Sequence, residues 1–121
     1  MARNHETGME KCMIVLYGAG QEFVKIITEN KIKRFEFVID TYFQNYPQGV
    51  CGYTVYDKSK MSDLTEKDFV CITSLKYFDD IFRIIKEINS SVNIINLNQL
   101  VWMEDTLPKL LTDLKNRIEI Y

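Results

Sequence analysis

The stretch VLYGAGQEF (residues 15–23) decides the fold. An apolar run meets Gly18 and Gly20, and Gln21, Glu22 and Phe23 then open a segment of helical spacing. A strand that turns at glycines into a helix is the start of a β-α-β unit. Glycine allows the sharp turn, and the helix start offers unpaired N–H groups with a partial positive charge. Such a corner serves a bound ligand, or it serves only the bend.

The run CMIVLY (residues 12–17) shows no alternation, as expected of a strand covered on both faces of a parallel sheet. Phe23, Val24, Ile26 and Ile27 give residues 21–29 a helical pattern that stops at Asn30. FEFVID (residues 35–40) predicts the second strand, and TYFQNYPQG a loop punctuated by Pro47 and Gly49. VCGYTVYD is broken by Gly52, which leaves a short third strand at residues 53–56 on an edge. KSKMSDLTEKD reads as polar connection, and FVCIT (residues 69–73) as a fourth strand followed by Ser74 as a helix N-cap. After it, Leu75, Phe78, Ile81, Phe82, Ile85 and Ile88 recur at helical steps opposite Lys76, Asp79, Arg83 and Glu87.

VNIINL (residues 92–97) predicts the fifth strand and NQLVW a short helical turn, with Trp102 covering one end of the sheet. Residues 107–120 form a closing helix, with Thr106 as N-cap and Pro108 in the first turn, where its missing N–H is harmless. Its stripe of Leu107, Leu110, Leu111, Leu114 and Ile118 requires a partner. The domain's own sheet would serve, as would a dimer seam or a junction to a further domain.

With 121 residues the chain is one domain's worth, and its 46% hydrophobic and 26% charged residues place it among ordinary globular proteins. A net charge of -2 supplies no general field for polyanions, so no nucleic-acid partner is expected. No apolar run is long enough for a membrane span. The opening MARNHETGM reads as an appended, disordered leader (residues 1–9) with Met9 as the expected native start. Cys12, Cys51 and Cys71 are an odd set, two of them in β-like apolar runs, which suggests reduced buried thiols and a cytoplasmic protein. The single histidine, His5, falls in the leader, so a histidine-based triad, dyad or metal site is not expected.

Together these elements predict an α/β fold. It is a Rossmann-like open parallel sheet of about five strands, order 3-2-1-4-5, with helices on both faces and a single domain over residues 10–121. Ligands of such sheets collect at the carboxyl ends of the strands, where the strand order reverses. The candidate binding residues are therefore Gly18, Ala19, Gly20 and Gln21 after the first strand, Asp40, Thr41 and Tyr42 after the second, and Thr73 and Ser74 after the fourth. Asp40 lies twenty residues after Gly20, where a dinucleotide-binding fold places a carboxylate for ribose hydroxyls. Tyr42, Phe43 and Tyr46 could wall a base, or fold back over the core. Against a full fingerprint, Phe23 replaces the third glycine, and Glu22 puts a negative charge in the first helical turn. No catalytic residue or metal ligand is assigned.

On IVLYGAG, FVID, GVCGYTVYD, DFVCIT and VNIINL, the chain resembles the Rossmann-like N-terminal domain of bacterial sugar O- and N-acyltransferases of the sialic-acid and bacillosamine type. The resemblance covers about residues 12–102. It implies binding of the nucleotide part of a UDP-sugar, with Gly18, Ala19 and Gly20 near phosphate and Asp40 near the uridine. It also implies the front domain of a larger surface-polysaccharide protein. The family's Gly-His-Gly continuation is Gln21, Glu22 and Phe23 here, and the β-helix that carries acyl transfer is absent, so acyl transfer is not implied. The expected function is a non-catalytic nucleotide or nucleotide-sugar binding module. The alternatives are a ligand-free oligomerisation domain and a fragment of an NAD-dependent oxidoreductase.

Overall fold

In the computed structural model, which describes residues 12–120, five parallel strands form one open sheet in the order β3-β2-β1-β4-β5. They are β1 (Ile14–Tyr17), β2 (Phe37–Ile39), β3 (Val55–Tyr56), β4 (Phe69–Ile72) and β5 (Asn93–Asn96). Apolar runs dominate the three central strands because both faces of this sheet are covered. Strand β1 pairs with β2 and with β4, which sets Leu16 level with Val38 and Cys71, while Cys71 stands level with Ile95 on β5.

Side chains alternate across a strand, so this register divides the core into two compartments. Leu16, Val38, Cys71 and Ile95 meet Phe23 and Ile26 of α1 (Gln21–Thr28) and Leu100 of α3 (Leu97–Asp105) on one face. Val15, Tyr17, Ile39, Val70 and Ile72 meet Ile85 of α2 (Phe78–Ile88) and Met61 on the other. Helices thus cover both faces, and each fully buried aliphatic side chain stabilises the fold by roughly 1.5–3 kcal/mol before entropy is counted.

Several expectations need correction. The polar stretch after β3 contains a 3-10 segment (Lys58–Asp63) and drives Met61 and Leu64 into the core, with Met61 wholly buried. Asn89, at the end of α2, fixes that segment by donating from Nδ2 to the carbonyls of Met61 (2.8 Å) and Leu64 (2.9 Å). The turn expected at NQLVW is a nine-residue helix, α3, begun by a capping box in which the Asn96 and Gln99 side chains each accept the other's amide at 2.8 Å. Trp102 lies on α3 and is 47% exposed, so it does not seal an end of the sheet. Cys51 is also exposed, because it stands at φ +52° at the tip of a tight turn closed by reciprocal Val50 and Tyr53 backbone bonds. Cys12 is exposed and only Cys71 is buried, its thiol pushed up to about 12 by burial. The proposed leader, residues 1–9, lies outside the described residues.

The closing helix α4 (Leu107–Ile120) continues almost directly from α3. Thr106 donates its amide to the Trp102 carbonyl and accepts from the Leu110 amide, while Pro108 supplies no amide, which breaks the helix at that point. Helix α4 packs chiefly against α3, and Leu110, Leu111 and Leu114 are 45%, 56% and 52% exposed. Docking of this face onto the domain's own sheet is therefore overturned for these leucines. Ile118 lies outside the residues whose side chains are described. No helix among the described residues is long and apolar enough to cross a membrane.

Candidate functional site

Strand order reverses between β1 and β4, and the loops that follow β1, β2 and β4 meet at the carboxyl end of the sheet. The chain can turn at Gly18 because its φ is +116°, a conformation that disfavours any side chain. Space requires glycine as well, since a Cβ there would stand 2.3 Å from Thr73 Oγ1. The Gly18 amide donates to the Ile39 carbonyl at 2.7 Å, fastening the corner to the end of β2.

Asp40 holds the next tie. Its carboxylate accepts the Ala19 amide on Oδ2 and the Tyr42 amide on Oδ1, each at 2.8 Å, so one side chain joins the loops after β1 and β2. It remains half-buried, and each oxygen keeps a further lone pair for a donor. Thr41 shares a 2.5 Å hydrogen bond with the Tyr17 hydroxyl. Burial pushes the Tyr17 phenol above its ordinary value; the Thr41 bond opposes that rise, and the charges of Asp40 and Asp57 add to it.

Thr73 is buried and belongs to the frame. Its hydroxyl lies 3.2 Å from the Tyr17 carbonyl and 3.1 Å from that of Gly18, so its single proton is used within the corner. Ser74 Oγ accepts the Tyr77 amide at 3.1 Å and so closes the turn before α2; the helix begins at Phe78 with Tyr77 as its N-cap and no side-chain cap, so Ser74 is not the helix N-cap that was expected. Of the loop aromatics, Phe43 and Tyr46 fold against the core and Tyr42 stands 69% exposed. Burial and the charge of Asp40 raise the Tyr46 phenol, which places that ring within electrostatic reach of the carboxylate.

The amides of Gly20, Gln21, Glu22 and Phe23 have no protein acceptor among the described residues, and no side chain caps α1. Gly20 has nothing within 4 Å of where a Cβ would stand, so it leaves open space at the corner. Phe23 is fully buried and meets Phe35 and Tyr53 edge-on at 5.9 and 6.0 Å, filling the room that a third glycine would have left for close helix packing. An open, largely apolar trough of about 510 Å³ starts at Ala19, Gly20 and Gln21 and runs along α1 beside Val24, Tyr46 and Val50.

The structure therefore brings Gly18, Ala19, Asp40, Thr41 and Thr73 into one hydrogen-bonded corner, with Gly20 and Gln21 following it at the start of α1 and Tyr42 and Ser74 on the loops around it. The resemblance put Gly18 and Ala19 near phosphate, but their amides are already donated within the protein. The trough was missed by sequence reasoning, because its walls combine exposed positions along α1, among them Val24, Lys25 and Thr28, with Tyr46 and Val50 from a loop distant in sequence. No group of three histidine, cysteine or carboxylate side chains among the described residues could hold a metal ion. No family model, curated protein or solved structure matches the chain.

Proposed function

We propose that the chain is a nucleotide or nucleotide-sugar binding module whose ligand lies at the corner formed by Gly20, Gln21 and Asp40. The observation that carries this reading is the pairing of unclaimed amides at the start of α1 with a carboxylate fixed beside them. Asp40 is held by two backbone amides in a set direction and retains lone pairs for ribose hydroxyls. Both groups lie where open parallel sheets bind their ligands. Through the resemblance noted above, the reading extends to the cytoplasmic front domain of a bacterial surface-polysaccharide protein. Calorimetry and thermal shift with UDP-sugars, NAD and coenzyme A test it. Saturable binding of a UDP-sugar that Asp40→Ala removes is the expected result, and no binding by any of them at millimolar concentration overturns it.

A second reading is favoured by the exposed Leu110, Leu111 and Leu114 on α4. In it the domain serves association, and the frame of the corner is retained for stability alone.

A further inference from the structure

Helix α4 continues from α3 through Thr106, and every residue from Pro108 to Asn116 is exposed. Along it Leu107, Leu111 and Leu114 recur at steps of four and three, the narrow seam spacing by which one helix pairs with another. Charge marks one flank of that seam. Glu104 of α3 and Lys115 of α4 lie eleven residues apart, about three turns, and so fall on the same side of the leucines. Neither takes part in an ion pair among the described residues; Glu104 is half-buried and accepts the Lys33 amide at 3.2 Å, and Lys115 is exposed. A second copy laid antiparallel satisfies both features together. Antiparallel helices join the same flank of each copy, so a two-fold axis near Lys109 sets Leu107 against Leu111 of the second copy and Lys115 against its Glu104, and symmetry repeats each contact. Lys109 itself stands on the side of the helix away from the leucines, so the two copies of that charge do not meet. In a parallel pair the flank bearing Glu104 and Lys115 meets the opposite flank, and these two charges never face each other.

We infer that α4 pairs antiparallel with α4 of a second copy of this chain, in a seam of Leu107, Leu111 and Leu114 closed at each end by a Glu104–Lys115 pair, an assignment that rests on the association reading of the α4 leucines given above. The fourteen residues of α4 make a seam only about 21 Å long. That is an interface of transient size, so the dimer forms and dissociates with concentration.

Sedimentation velocity from micromolar to millimolar concentration tests this on the wild-type chain, on Glu104→Lys, on Lys115→Glu and on an equimolar mixture of the two variants, with far-ultraviolet circular dichroism to confirm that each is folded. The wild type should dimerise. Each variant alone sets like charges together at both ends of the seam and should dimerise about tenfold more weakly. The mixture should recover the wild-type affinity, because both ends of a mixed seam again join opposite charges, and high salt should shrink these differences. A wild type that stays monomeric at millimolar concentration overturns the inference and leaves association only with a different chain. A dimer that Leu111→Glu abolishes, but that the charge variants and their mixture leave unchanged, also overturns it while keeping association through the α4 leucines. A dimer indifferent to Leu111→Glu removes both the inference and the association reading.

Discussion

Gly18→Ala tests how the corner is built. Two effects act on the variant. At φ +116° an L-residue is strained by about 1–3 kcal/mol. The new methyl would also lie 2.3 Å from Thr73 Oγ1, and the side chain bearing that oxygen is buried and cannot swing away, so overpacking adds about 1–3 kcal/mol. The sum, about 2–6 kcal/mol, is a large share of the stability of a small domain. It should lower Tm by about 8–25 °C. Urea or thermal denaturation followed by circular dichroism reads this directly, and a double-mutant cycle separates the two effects. Thr73→Ala removes the obstructing oxygen and loses its bonds to Tyr17 and Gly18, at about 1 kcal/mol. In that background Gly18→Ala should cost only the backbone strain, giving a coupling of about 1–3 kcal/mol between the two positions. Additive effects would refute the steric argument, and a Gly18→Ala melting point within about 3 °C of wild type would refute the whole account of the corner. Gly20→Ala is the control, because Gly20 has ordinary φ of -80° and open space, and its change should stay within about 1 kcal/mol.

Other outcomes follow from the same structure. Met61→Ala empties a wholly buried site and should cost about 2–5 kcal/mol in chemical denaturation, whereas a loss under 1 kcal/mol would place Met61 outside the core. Leu111→Glu alters an exposed position and should leave Tm within about 2 °C of wild type, while a change in sedimentation coefficient would identify the α4 face as an association surface. Stability should decline above pH 9: the unfolded chain releases the Cys71 proton near its ordinary value of 9.0, while the folded chain keeps it until about 12. The preference for the unfolded form grows by up to about 1.4 kcal/mol per pH unit within that window. Urea titrations at pH 7.5 and 10.5 should therefore differ, and equal midpoints would contradict a buried thiol.

Much of the architecture was readable in the sequence, because its signals are strong and local. Unbroken apolar runs such as FVCI mark strands covered on both faces, and the glycine corner at residues 18–20 together with the order of elements leaves few topologies. What was missed depends on distant partners. Met61 sits in a stretch whose neighbours are polar, and its burial is decided by Asn89 holding the segment in place from α2. The start of α3 did carry a local signal, since Asn96 and Gln99 have capping-box spacing. At the corner, residue types indicated which positions would gather but not what they would do. Asp40 and Thr73 have the composition of ligand-binding groups, and only their distances show both holding loops together. The exposed leucines of α4 were not legible, because an apolar stripe requires a partner without saying which one, and in the structure α4 packs chiefly against α3.

The two margins of the sheet differ in their exposure to other chains. On one side β3 offers only two residues of backbone, and Lys60 lies over the Phe37 and Tyr56 rings at 5.1 and 4.7 Å, placing a charge beside that short edge. On the other, β5 presents four residues with no further strand beside them among the described residues, and its centre is Ile94 and Ile95. Unpaired backbone on a β-prone edge is a template for intermolecular pairing. Fibril-type aggregation, when conditions loosen the chain, should therefore nucleate on the β5 side.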